Sequence, residues 1–124
     1  MKADALHPFL ARELAHARAR FRLDNALGTH HGISWQDFVL LELLDEEGVP
    51  EARLAAALGI LRSQLLLRVR PLEKLGWVRR TPDGVKLTQL SAAGRRLLCE
   101  ARETAASVCA QLSLADPATR QPVT

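Results

Sequence analysis

The stretch Leu61–Arg80, LRSQLLLRVRPLEKLGWVRR, decides how the rest of the chain is read. It combines five arginines and a lysine with a leucine triplet and a proline, and at Gly76 its spacing changes from helix-like to strand-like. At about 100° per residue, Leu65, Val69, Leu72 and Gly76 fall within about 40° of one direction and form the expected inward face. Ser63, Leu67, Arg70 and Lys74 lie opposite, with Gln64 and Pro71 beside them, so this is the face a ligand would meet. Leu66 is a flank residue, read as core. Pro71 lacks an N–H and frees the carbonyl of Leu67, which water can satisfy on an outward face; a bend is expected there.

Charge follows the same segment. The chain of 124 residues carries a formal +3. Between Arg62 and Lys86, seven basic residues face two acids, Glu73 and Asp83, a local +5 that leaves −2 for all the rest. Such concentration is the footprint of a surface that meets phosphates, although a solvated basic face gives the same count. The length suits one domain, and 48% hydrophobic with 25% charged residues indicates an ordinary globular chain. No apolar run approaches the roughly 18 residues of a membrane span, and the opening MKADALHPFL lacks a secretory pattern, so a cytoplasmic location and no membrane partner are expected.

Proline and glycine punctuate the chain. Pro8 is placed at a helix start, with Phe9, Leu10, Leu14, Ala17 and Phe21 at helical spacing up to a stop at Gly28. Ser34 and Asp37 read as a capping box opening a second helix through Phe38, Leu41 and Leu44 to Gly48. Pro50 starts a short third helix, with Leu54 and Leu58 on one face, that ends at Gly59; the quoted stretch is the fourth. WVRRT and VKLTQL flank TPDG and predict a β-hairpin. Ser91 caps a long last helix with a stripe of Leu97, Ala101, Ala105, Val108 and Leu112. The tail ADPATRQPVT has little to bury and is expected to be disordered. Cys99 and Cys109, about 15 Å apart on one helix, cannot bridge within a chain; they are read as small fillers of a helix face, with redox sensing the alternative.

The expected fold is therefore mainly α with a small β-hairpin: a winged helix-turn-helix with N- and C-terminal dimerisation helices. The sequence resembles the MarR family of bacterial transcriptional regulators over nearly its whole length. HGISWQDFVLLELL is similar to the family's second helix, RLAAALGI to its third helix and turn, PLEKLGWVRR to the end of the recognition helix and first wing strand, and LSAAGRRLL to the start of the fifth helix. The resemblance implies one domain over 1–114, with dimerisation helices at 1–28 and 91–114, a DNA-binding lobe at 34–90 and a tail at 115–124. It implies a homodimer on double-stranded DNA, probed by one recognition helix per subunit, often with a small-molecule pocket. The hairpin departs from the pattern: family wings carry a longer loop with an acid and a following arginine, whereas this one has only TPDG.

In a helix-turn-helix the start of the second helix approaches base edges, which makes Arg62, Ser63 and Gln64 the candidate base readers. Arg68, Arg70, Lys74, Arg79, Arg80 and Lys86 are candidates for phosphates, which position without specifying. Leu67 is anomalous, because the family more often has a polar residue there. It either contacts a thymine methyl, or it weakens DNA binding or marks a protein-contact surface. His30, His31, Trp35 and Phe38 are candidates for a pocket taking a small aromatic or apolar effector, with packing as the alternative. Among His7, His16, His30 and His31 no ligand spacing repeats, so no metal and no cofactor are expected. Nothing pairs a nucleophile with a base or an acid with a base, so the expected function is a DNA-binding regulator and not an enzyme. The alternative is a winged-helix interaction module that has lost specific DNA binding.

Overall fold

In the computed structural model, which describes residues 2–82 and 84–115, the elements run α1 (Lys2–His31), α2 (Trp35–Glu42), β1 (Val49–Pro50), α3 (Glu51–Leu58), α4 (Arg62–Lys74), β2 (Val78–Arg80), β3 (Leu87–Leu90) and α5 (Ala92–Ala115). The described residues divide into two compact units, 2–35 with 103–115, and 36–102.

In the first unit α1 is longer than its punctuation suggests. Pro8 lies inside the helix, and Gly28 does not end it. A single glycine costs a helix only about 1 kcal/mol, which the neighbouring turns absorb. The stop is Gly32, whose φ of +71° is left-handed and whose N–H donates to the Gly28 carbonyl at 3.1 Å. Leu23, Leu27 and Ile33 are buried here, as are Ala105 and Val108 of α5. Arg22 donates to Gln111 Oε1 at 3.0 Å, and His31 Nε2 lies 2.7 Å from the Thr104 hydroxyl. Leu6, Phe9, Leu10, Leu14 and Phe21 all face solvent in the single chain.

In the second unit β3 is the central strand of an antiparallel sheet ordered β1-β3-β2, with Val49 opposite Thr88 and Val78 opposite Leu90. The hairpin is present and has gained a third strand. Pro50, the expected start of the third helix, is the N-cap of α3 and also pairs with Leu87 in β1; two residues cannot display alternation, and an edge position tolerates proline. Helix α2 ends at Glu42, well short of Gly48. The following loop is tied by Asp45, which accepts the Gly48 N–H through Oδ1 at 2.7 Å and the Leu90 N–H through its carbonyl at 2.8 Å.

Helix α4 continues through Pro71 and ends in a Schellman turn. Gly76, at φ +82°, donates to the Glu73 carbonyl at 3.0 Å while Trp77 donates to that of Leu72 at 3.0 Å. Gly76 is thus a turn residue and exposed, not part of the inward face. Ser91 caps α5, its Oγ accepting the Gly94 N–H at 3.0 Å and donating to the Gly76 carbonyl at 2.6 Å. Gly94 is required by proximity, since a Cβ there would sit 2.0 Å from the Trp77 carbonyl oxygen. The buried apolar side chains of α5 are Leu98, Ala101, Ala105 and Val108, with Leu97 and Leu112 only half-buried. Both cysteines are exposed thiols and do not fill a helix face. Residues 116–124, most of the tail, and Asp83 of the hairpin turn lie outside the described residues.

Candidate nucleic-acid interface

Helix α4 has two distinct faces. Leu65, Val69 and Leu72 are buried, the first two completely, and they hold the helix against its unit. Ser63, Gln64, Arg70 and Lys74 are exposed, Leu66 and Arg68 half-buried. Leu67 is 70% exposed, so the outward leucine is a real surface feature. With Arg70, Pro71, Glu73 and Lys74 it lines a shallow depression of ≈ 420 Å³. At the helix start Leu61 has no polar side chain to cap with. Gln64 Oε1 instead accepts the Leu61 N–H at 3.0 Å. The oxygen that would accept from an adenine amino group therefore already holds the backbone.

On the sheet, Arg79 is exposed and Arg80 turns inward. Lys86 folds back along the hairpin, Nζ donating to the Pro82 carbonyl at 3.0 Å. The Thr81 hydroxyl donates to the Val85 carbonyl at 3.2 Å and accepts the Leu87 N–H at 3.0 Å, fixing the hairpin without a long loop. Among the described residues near its tip, Val85 is 71% exposed, an apolar group on this surface.

Glu51, unremarked in the sequence, is the organising charge of this region. It opens α3, where a carboxylate is favoured by the helix dipole, and its side chain is only 3% exposed. Oε1 accepts Arg80 Nε at 2.9 Å and Nη2 at 2.6 Å, and Oε2 accepts Arg62 Nη2 at 3.3 Å. Burial pushes the carboxyl up, but the hydrogen bonds and charges of Arg80 and Arg62 outweigh it and hold Glu51 below its ordinary value. An acid after a proline reads as any helix start. Its partners lie 11 and 29 residues away, so no local signal marks it.

The four proposed pocket residues divide. His30 and His31 line a cleft of ≈ 620 Å³ in the first unit with Glu103, Thr104, Ser107 and Gln111. Trp35 and Phe38 are not in its lining; Phe38 is buried, and the Trp35 N–H donates to Asp24 Oδ1 at 2.6 Å. Among the described residues no cluster of three or more His, Cys, Asp or Glu could hold a metal ion, and no helix is long and apolar enough to cross a membrane.

No family sequence model and no curated protein sequence matches the chain. Solved structures do. The transcriptional regulator BldR from Sulfolobus solfataricus superposes with a TM-score of 0.82 at 23% identity, over 92% of this chain and 85% of that one. A MarR-family transcriptional regulator from Rhodococcus sp. RHA1 gives 0.79 at 27%, over 94% and 86%. CouR from Rhodococcus jostii RHA1, bound to p-coumaroyl-CoA, gives 0.78 at 27%, over 90% and 80%; CouR, described as a transcriptional repressor, also matches in its complex with a 23-mer DNA duplex. These neighbours are transcriptional regulators and not enzymes. The fold is that of a MarR-family regulator over most of the chain, in agreement with the resemblance drawn from the sequence.

Proposed function

We propose, from the premise that this chain is a winged-helix protein of the MarR type, that it is a homodimeric DNA-binding transcriptional regulator of repressor type, relieved by a small aromatic or apolar ligand. The observation that carries the DNA reading is α4: its apolar side is buried, and its other side offers Ser63, Gln64, Leu67, Arg70 and Lys74 to solvent. Arg62, Arg68, Arg79, Arg80 and Lys86 surround that face in the proposed interface. The domain reading is one MarR-like domain over 1–114, with 1–28 and 91–114 serving dimerisation and 34–90 binding DNA. The apolar face of α1, open in the single chain, supports the dimer.

A DNA complex of CouR supports duplex DNA as the partner, and its complex with p-coumaroyl-CoA supports an effector. The cleft beside His30 and His31 is the candidate effector site. Selection of bound fragments from the source genome tests the reading: a shared motif with two half-sites about one helical turn apart is expected. Fragments with no common sequence would favour the second reading, an interaction module, which the exposed Leu67 and apolar hairpin tip at Val85 support.

A further inference from the structure

Arg62, at the start of α4 and read as a base contact, and Arg80, on β2 and read as a phosphate contact, are tied to one carboxylate. Arg80 spends two N–H groups on Glu51 Oε1 and is 24% exposed; Arg62 spends one on Oε2 and is 61% exposed. Glu51 is itself anchored, its backbone N–H donating to the Lys86 carbonyl at 3.0 Å. A buried ion pair gives little stability over an apolar residue of similar size, so its presence points to geometry. Two arginines and a carboxylate also sum to +1, which leaves this corner less attractive to phosphates than two free arginines would be.

We propose that Glu51 is a positioning residue of the DNA-reading face, fixing Arg62 for base edges and withholding Arg62 and Arg80 from indiscriminate phosphate contact; this rests on the DNA-binding reading above. An unpinned arginine takes any phosphate within reach, whereas reading guanine requires the guanidinium fork in one orientation. Glu51 therefore exchanges bulk affinity for discrimination.

The test is fluorescence anisotropy on a duplex recovered by genomic selection and on a scrambled duplex of equal length, between 50 and 200 mM KCl. Glu51→Gln is expected to bind the scrambled duplex about threefold or more tighter, with a salt slope steeper by about one unit. It should bind the selected duplex about tenfold more weakly, and Glu51→Asp should lie between. In an Arg62→Ala background, Glu51→Gln should no longer change the ratio of the two affinities. Equal shifts on both duplexes, no shift on either, or a ratio change that persists without Arg62 would overturn the proposal. Should Glu51→Gln fail to fold by circular dichroism, Arg62→Ala carries the test, since its side chain is mostly exposed: undiminished discrimination in that variant overturns the proposal. A wild-type protein with no preferred duplex fails differently, removing the DNA-binding reading and this proposal with it.

Discussion

Leu65 and Leu67 sit two positions apart on α4 with opposite surroundings, one fully buried and the other 70% exposed. Leu65→Ala is expected to cost about 2 to 5 kcal/mol of stability through a core cavity. Leu67→Ala should leave the unfolding midpoint nearly unchanged while costing about 1 to 3 kcal/mol at a preferred site, the value of a good base contact. Urea denaturation and operator titration of both variants check this, and a Leu67→Ala that improves affinity would favour the interaction module. Arg79 and Arg80 divide in the same way. Arg79→Ala should flatten the salt slope by about one unit at unchanged stability. Arg80→Ala removes the main partner of a buried carboxylate and should destabilise the protein by about 1 to 3 kcal/mol in the same melts. The inward and outward leucines could be read from helical angle alone, because a helix's faces follow from its period. The fate of Arg80 could not, because it depends on a carboxylate 29 residues away.

At the scale of elements, helix types and order follow from apolar period and turn chemistry, and the boundaries that differ from expectation share one cause. Residue type alone places boundaries at Pro8, Gly28 and Gly48, but a boundary is set by which backbone groups find partners. Gly32 ends α1 through its left-handed φ, and the Asp45 loop follows α2 six residues before Gly48. Strand β1 has no legible signal, because a two-residue strand that includes a proline carries no period. The junction of the hairpin with α5 offers a sharp test. Gly94→Ala would gain up to about 1 kcal/mol of helix propensity. Its new Cβ would meet the Trp77 carbonyl oxygen at 2.0 Å, however, and overpacking of this kind costs about 1 to 3 kcal/mol or more. Net destabilisation is expected by thermal melting, and a raised midpoint would mean that the strand and helix yield more easily than their hydrogen bonds suggest.

For the whole molecule the question is what covers α1. At 30 residues it extends about 45 Å, and five large apolar side chains along it face solvent in the single chain. Under the proposed dimer, sedimentation at micromolar concentration should give twice the mass of one chain, and a stable monomer there would defeat the proposal. The apolar spacing on α1 was visible in the sequence. The sequence also assigns residues 1–28 to dimerisation and so leaves that face outside the chain's own core; which surface meets it is not legible, since a period identifies an apolar face without naming its partner.

Under the proposed dimer, Leu6, Phe9, Leu10, Leu14 and Phe21, open to water in the single chain, would make folding itself a matter of abundance. If pairing is what buries them, the fraction of native protein obeys mass action and the melting temperature climbs with protomer concentration. A newly made chain in a cell holding few others would spend its first minutes as a substrate for proteases, and accumulation would slow its own turnover. Expression level and lifetime would then be one variable.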